Sequence, residues 1–234
     1  MQLKKISTCI VCLFLLLPVT VYSQMGLYEL PRGGMAVGLG FTGFDFSGNQ
    51  DAIGMAGSLG YGINNRTKIV LTANMGSFNR DRYGPELDVP PSVAIGVRPV
   101  HVGSLGQTGL DYFLTGTVYR GFSSGISRRL DDPTYQRLLS VRTNGIGGGG
   151  GISKRLETNF GWVLNPFCGV SYSRSWYRIS RKAPGEIKLN RVRSGYGGQV
   201  GLEIELSRMI SVIGTFGISF EDFNNSFSIG LSLH

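Results

Sequence analysis

The chain has 234 residues, of which 16% are charged and 41% hydrophobic, with a mean hydropathy of +0.05 and a formal net charge of +8. Ordinary soluble domains carry about 25% charged residues, so the chain is sparingly charged, yet it is not apolar enough for a bundle of membrane-spanning helices. Glycine occurs 36 times, about twice the usual share of roughly 7%, which disfavours helices and suits closely packed, curved strands.

The N-terminal residues have the pattern of an export signal. Lys4 and Lys5 precede the apolar run ISTCIVCLFLLLPVTV, and Ser23 supplies the small residue that a signal peptidase requires. The run is short for a transmembrane helix, although a retained anchor helix is the alternative. We therefore predict three parts, a cleaved signal peptide, a short periplasmic segment and one domain: 1–23, 24–33 and 34–234.

From residue 35 onwards, large apolar residues alternate with small or polar ones. The first segment, MAVGLGFTGF, places Met35, Val37, Leu39 and Phe41 on one face, and this period of two predicts a strand. Segments of this kind predict about ten strands in all. Because the glycine run GGGGG carries no pattern, eight or twelve strands are the alternatives. The other predicted strands are AIGMAGSLGYGI, KIVLTANMGSF, SVAIGVRPV, GLDYFLTGTVYRGF, TNGIGGGGGISK, NFGWVLNPFCGVSYS, RSGYGGQVGLEIEL and the two that end the chain within 209–234.

The connections between the segments alternate in length. Every second one is tight, such as 63–66 and 206–208, whereas the others, such as 122–142 and 176–191, are mostly long and charged. Transmembrane barrels combine short periplasmic turns with longer external loops. We therefore predict an all-β fold, a transmembrane antiparallel up-and-down β-barrel of about ten strands in the outer membrane of a Gram-negative bacterium, whose last strand pairs with its first.

Charged residues fall on the small, polar face of several strands. If the large residues face lipid, this face lines the lumen, and its charges lie toward the turn ends of their strands. Charges of both signs at one depth should pair, which favours a plugged barrel over an open pore; the alternative is that some of them face water at the mouth. The predicted lumen charge cluster is Lys68, Arg98, Asp111, Glu203 and Glu205.

Aromatic residues concentrate near strand ends, which predicts girdles at the two membrane interfaces. They are Tyr61, Tyr112, Trp162, Tyr172, Tyr196, Phe216 and Phe220.

Two of the long connections are rich in arginine and lysine. At the outer surface they would form a basic rim beside lipopolysaccharide phosphates, which guanidinium groups bind well; the alternative is a solvated loop. Trp176 and Tyr177 would also suit single-stranded nucleic acid, but export makes nucleic acid an unexpected partner. The predicted basic outer-loop residues are Arg128, Arg129, Arg174, Arg178, Arg181, Lys182, Lys188 and Arg191.

Signals for catalysis or metal binding are weak. GLGFTG at 38–43 has the glycine spacing of a dinucleotide loop, but it lies within a strand and no helix follows. A hydrolase at the outer rim would need a histidine base, and His101 and His234 both fall near predicted periplasmic strand ends. Cys168 is expected to be a small hydrophobe on a strand. We predict no enzyme, no cofactor and no metal; a lipid or peptide hydrolase using His101 is the alternative.

The leader ending before Gln24, the alternating strands, NPFCGVSYSRSW and the closing FSIGLSLH resemble small outer-membrane β-barrel proteins of Bacteroidota-type bacteria, in the broad OmpA-like and porin-like group. The resemblance implies a structural barrel or a narrow or plugged channel, whose basic external loops contact lipopolysaccharide or an envelope protein. An accessory subunit of a secretion machine is the alternative.

The resemblance also implies that the barrel-insertion machinery reads the last strand. The residues that would form this C-terminal insertion signal are Phe227, Ile229, Leu231 and Leu233. The chain departs from the group's usual aromatic end by closing with Leu233 and His234.

Overall fold

The computed structural model describes residues 30–46, 50–78, 92–128, 136–182, 187–220 and 225–234. Residues 1–29 lie outside these ranges, so the signal peptide and the domain boundaries stay predictions. Within the described residues, no helix is long and apolar enough to cross a membrane.

The described ranges fold into antiparallel strands, with one short 3-10 turn at Gly106–Thr108. The strands are β1 (Met35–Phe46), β2 (Gln50–Asn64), β3 (Thr67–Phe78), β4 (Ser92–Ser104), β5 (Asp111–Arg128), β6 (Gln136–Ser153), β7 (Leu156–Glu157), β8 (Val163–Lys182), β9 (Ile187–Ser207), β10 (Ile210–Ser219) and β11 (Asn225–Leu233).

The sheet closes on itself as a barrel of ten long strands. Each long strand pairs with its neighbours in the chain, and β1 pairs with β11 from Val37 opposite Leu233 to Asp45 opposite Asn225. The two-residue β7 pairs only at the end of β8, so β6 and β8 pair directly along their length. Among the described residues, closure leaves no long strand with an unpaired edge, as hydrocarbon requires, and it confirms the predicted ten-strand barrel and the pairing of its first and last strands.

One end of the barrel carries the tight turns and the described termini. The backbone N–H of His234 donates to the carbonyl of Met209, 2.9 Å away, in the turn between β9 and β10. Turns of this kind face the periplasm in outer-membrane barrels. We call this the periplasmic end and the opposite one the outer end.

The two faces of the strands differ as the alternation predicts. Large apolar side chains point outward and are exposed, such as Ile95 (63%), Val170 (66%) and Ile229 (60%). Inward positions carry small or polar residues, including Thr72 and Ser232, both buried. A continuous apolar exterior around a polar interior is stable only with hydrocarbon on the outside.

Aromatic rings inside the barrel lie against glycines of the neighbouring strands. The ring of Tyr119 occupies the place where a Cβ on Gly145 would go, and the ring of Phe113 does the same at Gly151 and Gly169. The glycine run therefore leaves room for side chains from β5 and β8. This explains why a segment without a pattern forms a full strand, β6, which is longer than predicted.

Two of the predicted long connections are much shorter in the structure. The segment predicted as a connection at 122–142 shrinks to 129–135, and that at 176–191 to 183–186, because β5, β6, β8 and β9 continue through them. These strands have 18 to 21 residues, whereas β10 has 10 and β11 has 9. They project beyond the outer end as a ribbon of four strands, which we call the extended wall.

Candidate functional site

Apolar side chains fill the lumen near the periplasmic end. Phe113 from β5 and Phe167 from β8 meet edge to face, with ring centroids 6.1 Å apart. They belong to one buried cluster with side chains from other strands and from the segment before β1, which we call the lumen plug. Its members are Leu30, Ala36, Val70, Val100, Val102, Phe113, Phe167 and Ile213.

The segment before β1 delivers Leu30 into the plug. The N–H of Gly33 donates to the carbonyl of Gly62 (2.8 Å), and the N–H of Gly62 donates to the carbonyl of Gly34 (2.9 Å). The carbonyl of Pro31 lies so close to Gly62 that a Cβ there would collide with it. These contacts turn the chain inward at the mouth, and Leu30 is consequently only 3% exposed.

Ionisable side chains lie at the same depth as the plug. Lys68, Arg98 and Glu203 are all buried, and Lys68 lies within electrostatic range of both Glu203 and Arg98. Three of the five charges predicted for the lumen are thus brought together. Burial and the neighbouring Lys68 lower the pKa of His234, beyond the end of β11, to about 4, so that its imidazole is neutral at pH 7.

The other two predicted lumen charges lie closer to the periplasmic mouth. Glu205 accepts a hydrogen bond from the amide of Asn165 (2.8 Å) and forms an ion pair with Arg155 (3.2 Å). Asp111 is half-buried at the first residue of β5. A joint role for the five residues stays a prediction.

The outer half of the lumen is polar. Thr42, Ser58, Asn74 and Thr143 are buried inward-facing residues whose side-chain polar atoms have no hydrogen-bond partner among the described residues. Buried polar groups are nearly always hydrogen-bonded, so a wall of this kind favours water. The barrel interior therefore combines a polar outer half with an apolar and ionic periplasmic half.

The predicted basic loop residues lie mainly on strands of the extended wall, so their assignment to loops was wrong. Beyond the membrane both faces of these strands can meet water, so charged residues can occur on either face there without ending the strand. Side chains are described for Arg174, Arg178, Lys188 and Arg191, and Arg129 lies outside the described residues. The residues placed on strands are Arg128 on β5, Arg174, Arg178, Arg181 and Lys182 on β8, and Lys188 and Arg191 on β9.

A pair of tyrosines marks where the apolar belt ends on the extended wall. Tyr172 and Tyr196 lie on adjacent strands, with ring centroids 4.9 Å apart. Just beyond them, the guanidinium carbon of Arg174 lies 5.6 Å from the centre of the Trp176 ring. Tyrosine and tryptophan favour the membrane interface, so the pair fits the predicted outer girdle.

Sequence reasoning missed Arg142 and the plug residues. Arg142 lies on the outward face of β6, directly opposite Arg178. It was missed because it is the last residue of the predicted connection at 122–142. Phe113 and Phe167 are large residues at inward positions, and this break in the alternation was the available signal. Leu30 precedes the strand pattern, which gave no signal for it.

His101 lies on the outer surface near the periplasmic end. Its Nδ1 is 3.0 Å from the hydroxyl of Thr67, and its ring lies 6.0 Å from that of Tyr112. This is the setting of an interfacial polar residue. Cys168 is exposed on the outward face, and the described side chains include no group of three or more His, Cys, Asp and Glu residues that could hold a metal ion.

No protein-family model matches the chain, and no curated protein does. Among solved structures, the translocator domain of the autotransporter NalP from Neisseria meningitidis matches with a TM-score of 0.51 and 12% identity, over 86% of this chain and 87% of that one. The outer membrane protease OmpT from Escherichia coli matches with a TM-score of 0.48 and 11% identity, over 86% and 93%. The fold is that of an outer-membrane β-barrel.

The apolar belt and this fold place the chain in the outer membrane of a Gram-negative bacterium. At these identities the likeness extends to the fold alone. The Bacteroidota-type origin and the insertion signal at the end of β11 stay predictions.

Proposed function

We propose that the protein is a plugged, non-enzymatic outer-membrane barrel that acts through the surface it presents outside the cell. The supporting observation is the lumen plug, in which Phe113 is 2% and Leu30 3% exposed. A channel for hydrophilic solutes needs a continuous wet path. Apolar side chains that are buried together in this way exclude water from their part of the lumen.

The extended wall is the part of the barrel that would meet partners. It presents cations outward beyond the Tyr172–Tyr196 pair, where the head groups of lipopolysaccharide or an envelope protein would lie. In this proposal the apolar belt anchors the protein in the membrane, the lumen plug closes the barrel to solutes, and the extended wall binds an external partner.

Enzyme activity at the outer rim has little support in the described residues. A hydrolase site there needs a base beside a nucleophile or an activated water. His101 lies at the opposite end and is engaged by Thr67 and Tyr112. An accessory role in a secretion machine is the second candidate from the sequence, and identification of the proteins that co-purify with the detergent-extracted barrel tests it.

Conductance in planar lipid bilayers tests the plug. The folded protein, recognised by its heat-modifiable gel migration, should insert without producing stepwise currents, while an open porin reconstituted in parallel does produce them. Reproducible steps from the wild-type protein, scaling with the amount of inserted barrel, would refute a sealed lumen.

A further inference from the structure

We infer that the extended wall carries a binding site for the phosphate groups of an outer-leaflet glycolipid. The inference rests on the proposed function, since it supplies the wall with an external ligand. The site is a surface depression of about 270 Å³ on the outward face. Its lining residues are Ser140, Arg142, Arg178, Ser180 and Lys188.

Strand register brings these five side chains together. Arg142 on β6 is directly opposite Arg178 on β8, and Ser140 is opposite Ser180. On the other side of β8, Ser180 is opposite Lys188 of β9. Residues opposite one another on antiparallel strands have Cβ atoms about 4.5–5.5 Å apart. Three cationic groups and two hydroxyls therefore border one small area.

The charge of this area favours an anion. Arg142 and Arg178 lie directly opposite one another, and like charges in such positions of a sheet repel and destabilise it. A phosphate between the two guanidinium groups would offset their repulsion. It would accept paired hydrogen bonds from their N–H groups and further hydrogen bonds from the serine hydroxyls.

The height of the site indicates a lipid as the source of the phosphate. Arg178 lies six positions beyond Tyr172 on the same strand, or about 20 Å along it at roughly 3.3 Å per residue. Because barrel strands tilt by about 35–45°, this corresponds to about 15 Å above the aromatic pair. Arg174 lies on the outward face of β8 between Tyr172 and Arg178, so cationic side chains occur from just above the membrane surface up to the site. The polar headgroup layer of a typical bilayer is only about 5–8 Å thick on each side, so a lipid phosphate at this height belongs to the longer oligosaccharide of a glycolipid.

Binding of a glycolipid that carries a phosphorylated core oligosaccharide, and of the same glycolipid after dephosphorylation, tests the site. Both lipids in mixed micelles, and inorganic phosphate alone, are titrated onto the folded barrel and onto Arg142→Gln, Arg178→Gln and the double variant. Arg66→Gln is the matched control, because Arg66 is exposed in the periplasmic turn between β2 and β3 and loses the same charge. Gel migration verifies folding of each variant.

The phosphorylated lipid should bind more tightly than the dephosphorylated one. Each arginine variant should weaken its binding at least about tenfold, the loss expected for one charge-assisted hydrogen bond, and the double variant should weaken it further. Arg66→Gln should stay within about twofold of wild type. Equal binding of the two lipids, an equal loss in Arg66→Gln, or equally tight binding of inorganic phosphate would each overturn the inference. Conductance plays no part in this assay, so failure of the plug and failure of the site are separate results.

Discussion

Phe113 on β5 and Phe167 on β8 reach each other over the glycine strand β6, edge to face, with ring planes at 90°. This contact requires Gly151 and Gly169, because a Cβ at either position would occupy the space of the Phe113 ring. Edge-to-face pairs contribute about 0.5–1.5 kcal/mol beyond the burial of their surface. The glycine run and the lumen plug are thus two parts of one packing solution.

Phe113→Ala should destabilise the barrel. Phe113 is 2% exposed, and truncation of a buried phenylalanine costs about 3–5 kcal/mol. Urea unfolding in lipid vesicles measures the loss in the free energy of unfolding. Phe160→Ala is the control, because Phe160 is 86% exposed, and it should change that free energy by less than about 0.5 kcal/mol. Equal effects of the two variants would contradict the packing role.

Removal of both rings should open a wet path. In the double variant Phe113→Ala/Phe167→Ala, only a thinner apolar layer separates the polar outer lumen from the periplasmic mouth. Small ionic currents should therefore appear in planar bilayers. The matched double variant Phe122→Ala/Phe160→Ala loses two exposed rings outside the lumen and should stay silent. A silent plug variant that still folds would show that the remaining side chains seal the barrel without these rings.

Glu203→Gln should destabilise the barrel through its lumen charges. Glu203 is 0% exposed and lies within electrostatic range of Lys68, which also neighbours Arg98. Removing one partner of a buried pair costs about 3–5 kcal/mol, because the opposite charge is left uncompensated. Adding Lys68→Met should recover part of the loss, and a double-mutant cycle from urea unfolding measures that coupling. Exposed Glu157→Gln is the control, and additive losses would exclude the pairing.

The alternation of large and small residues predicted most of the fold because, in a membrane barrel, each strand separates hydrocarbon from lumen. Met35 to Phe41 and Phe227 to Leu233 show this clearly, and both faces are as predicted. The prediction ended the strands too early where they extend beyond the lipid. Arg174 and Arg178 point outward like Cys168 and Val170 below them on β8, but their charge suggested a loop.

The sites were harder to predict because they depend on register. Arg142 and Arg178 are 36 positions apart in the sequence, and only the pairing of β6 with β8 makes them neighbours. Leu30 enters the lumen through backbone bonds to Gly62, which leave no mark on the pattern of side chains. The lumen charges were easier to find, since Lys68, Arg98 and Glu203 interrupt a face of small residues.

Glycines on the two faces should respond oppositely to alanine. A Cβ on Gly151 would collide with the carbonyl of Cys168 and with the Phe113 ring, whereas one on Gly214 would have nothing within 4 Å. Gly151→Ala should therefore cost about 1–3 kcal/mol through overpacking. Gly214→Ala should stabilise by about 0.4–1 kcal/mol, because it restricts the unfolded chain. Urea unfolding of both variants measures the difference, and equal effects would argue against the close approach of β6 and β8.

A charge on the outward face of the last strand should show that this face contacts hydrocarbon. Ile229 is 60% exposed and lies midway along β11, opposite Phe41 and Gly214. Arginine at the middle of a lipid-facing strand costs about 2–4 kcal/mol, and the cost falls to about 0–1 kcal/mol near the interfaces. Ile229→Arg should therefore lower the free energy of unfolding in vesicles by that larger amount, whereas Phe160→Arg, in the periplasmic turn, should change it little. If arginine at position 229 were as harmless as at position 160, β11 would not face lipid, and the barrel would have to bury this face against another protein.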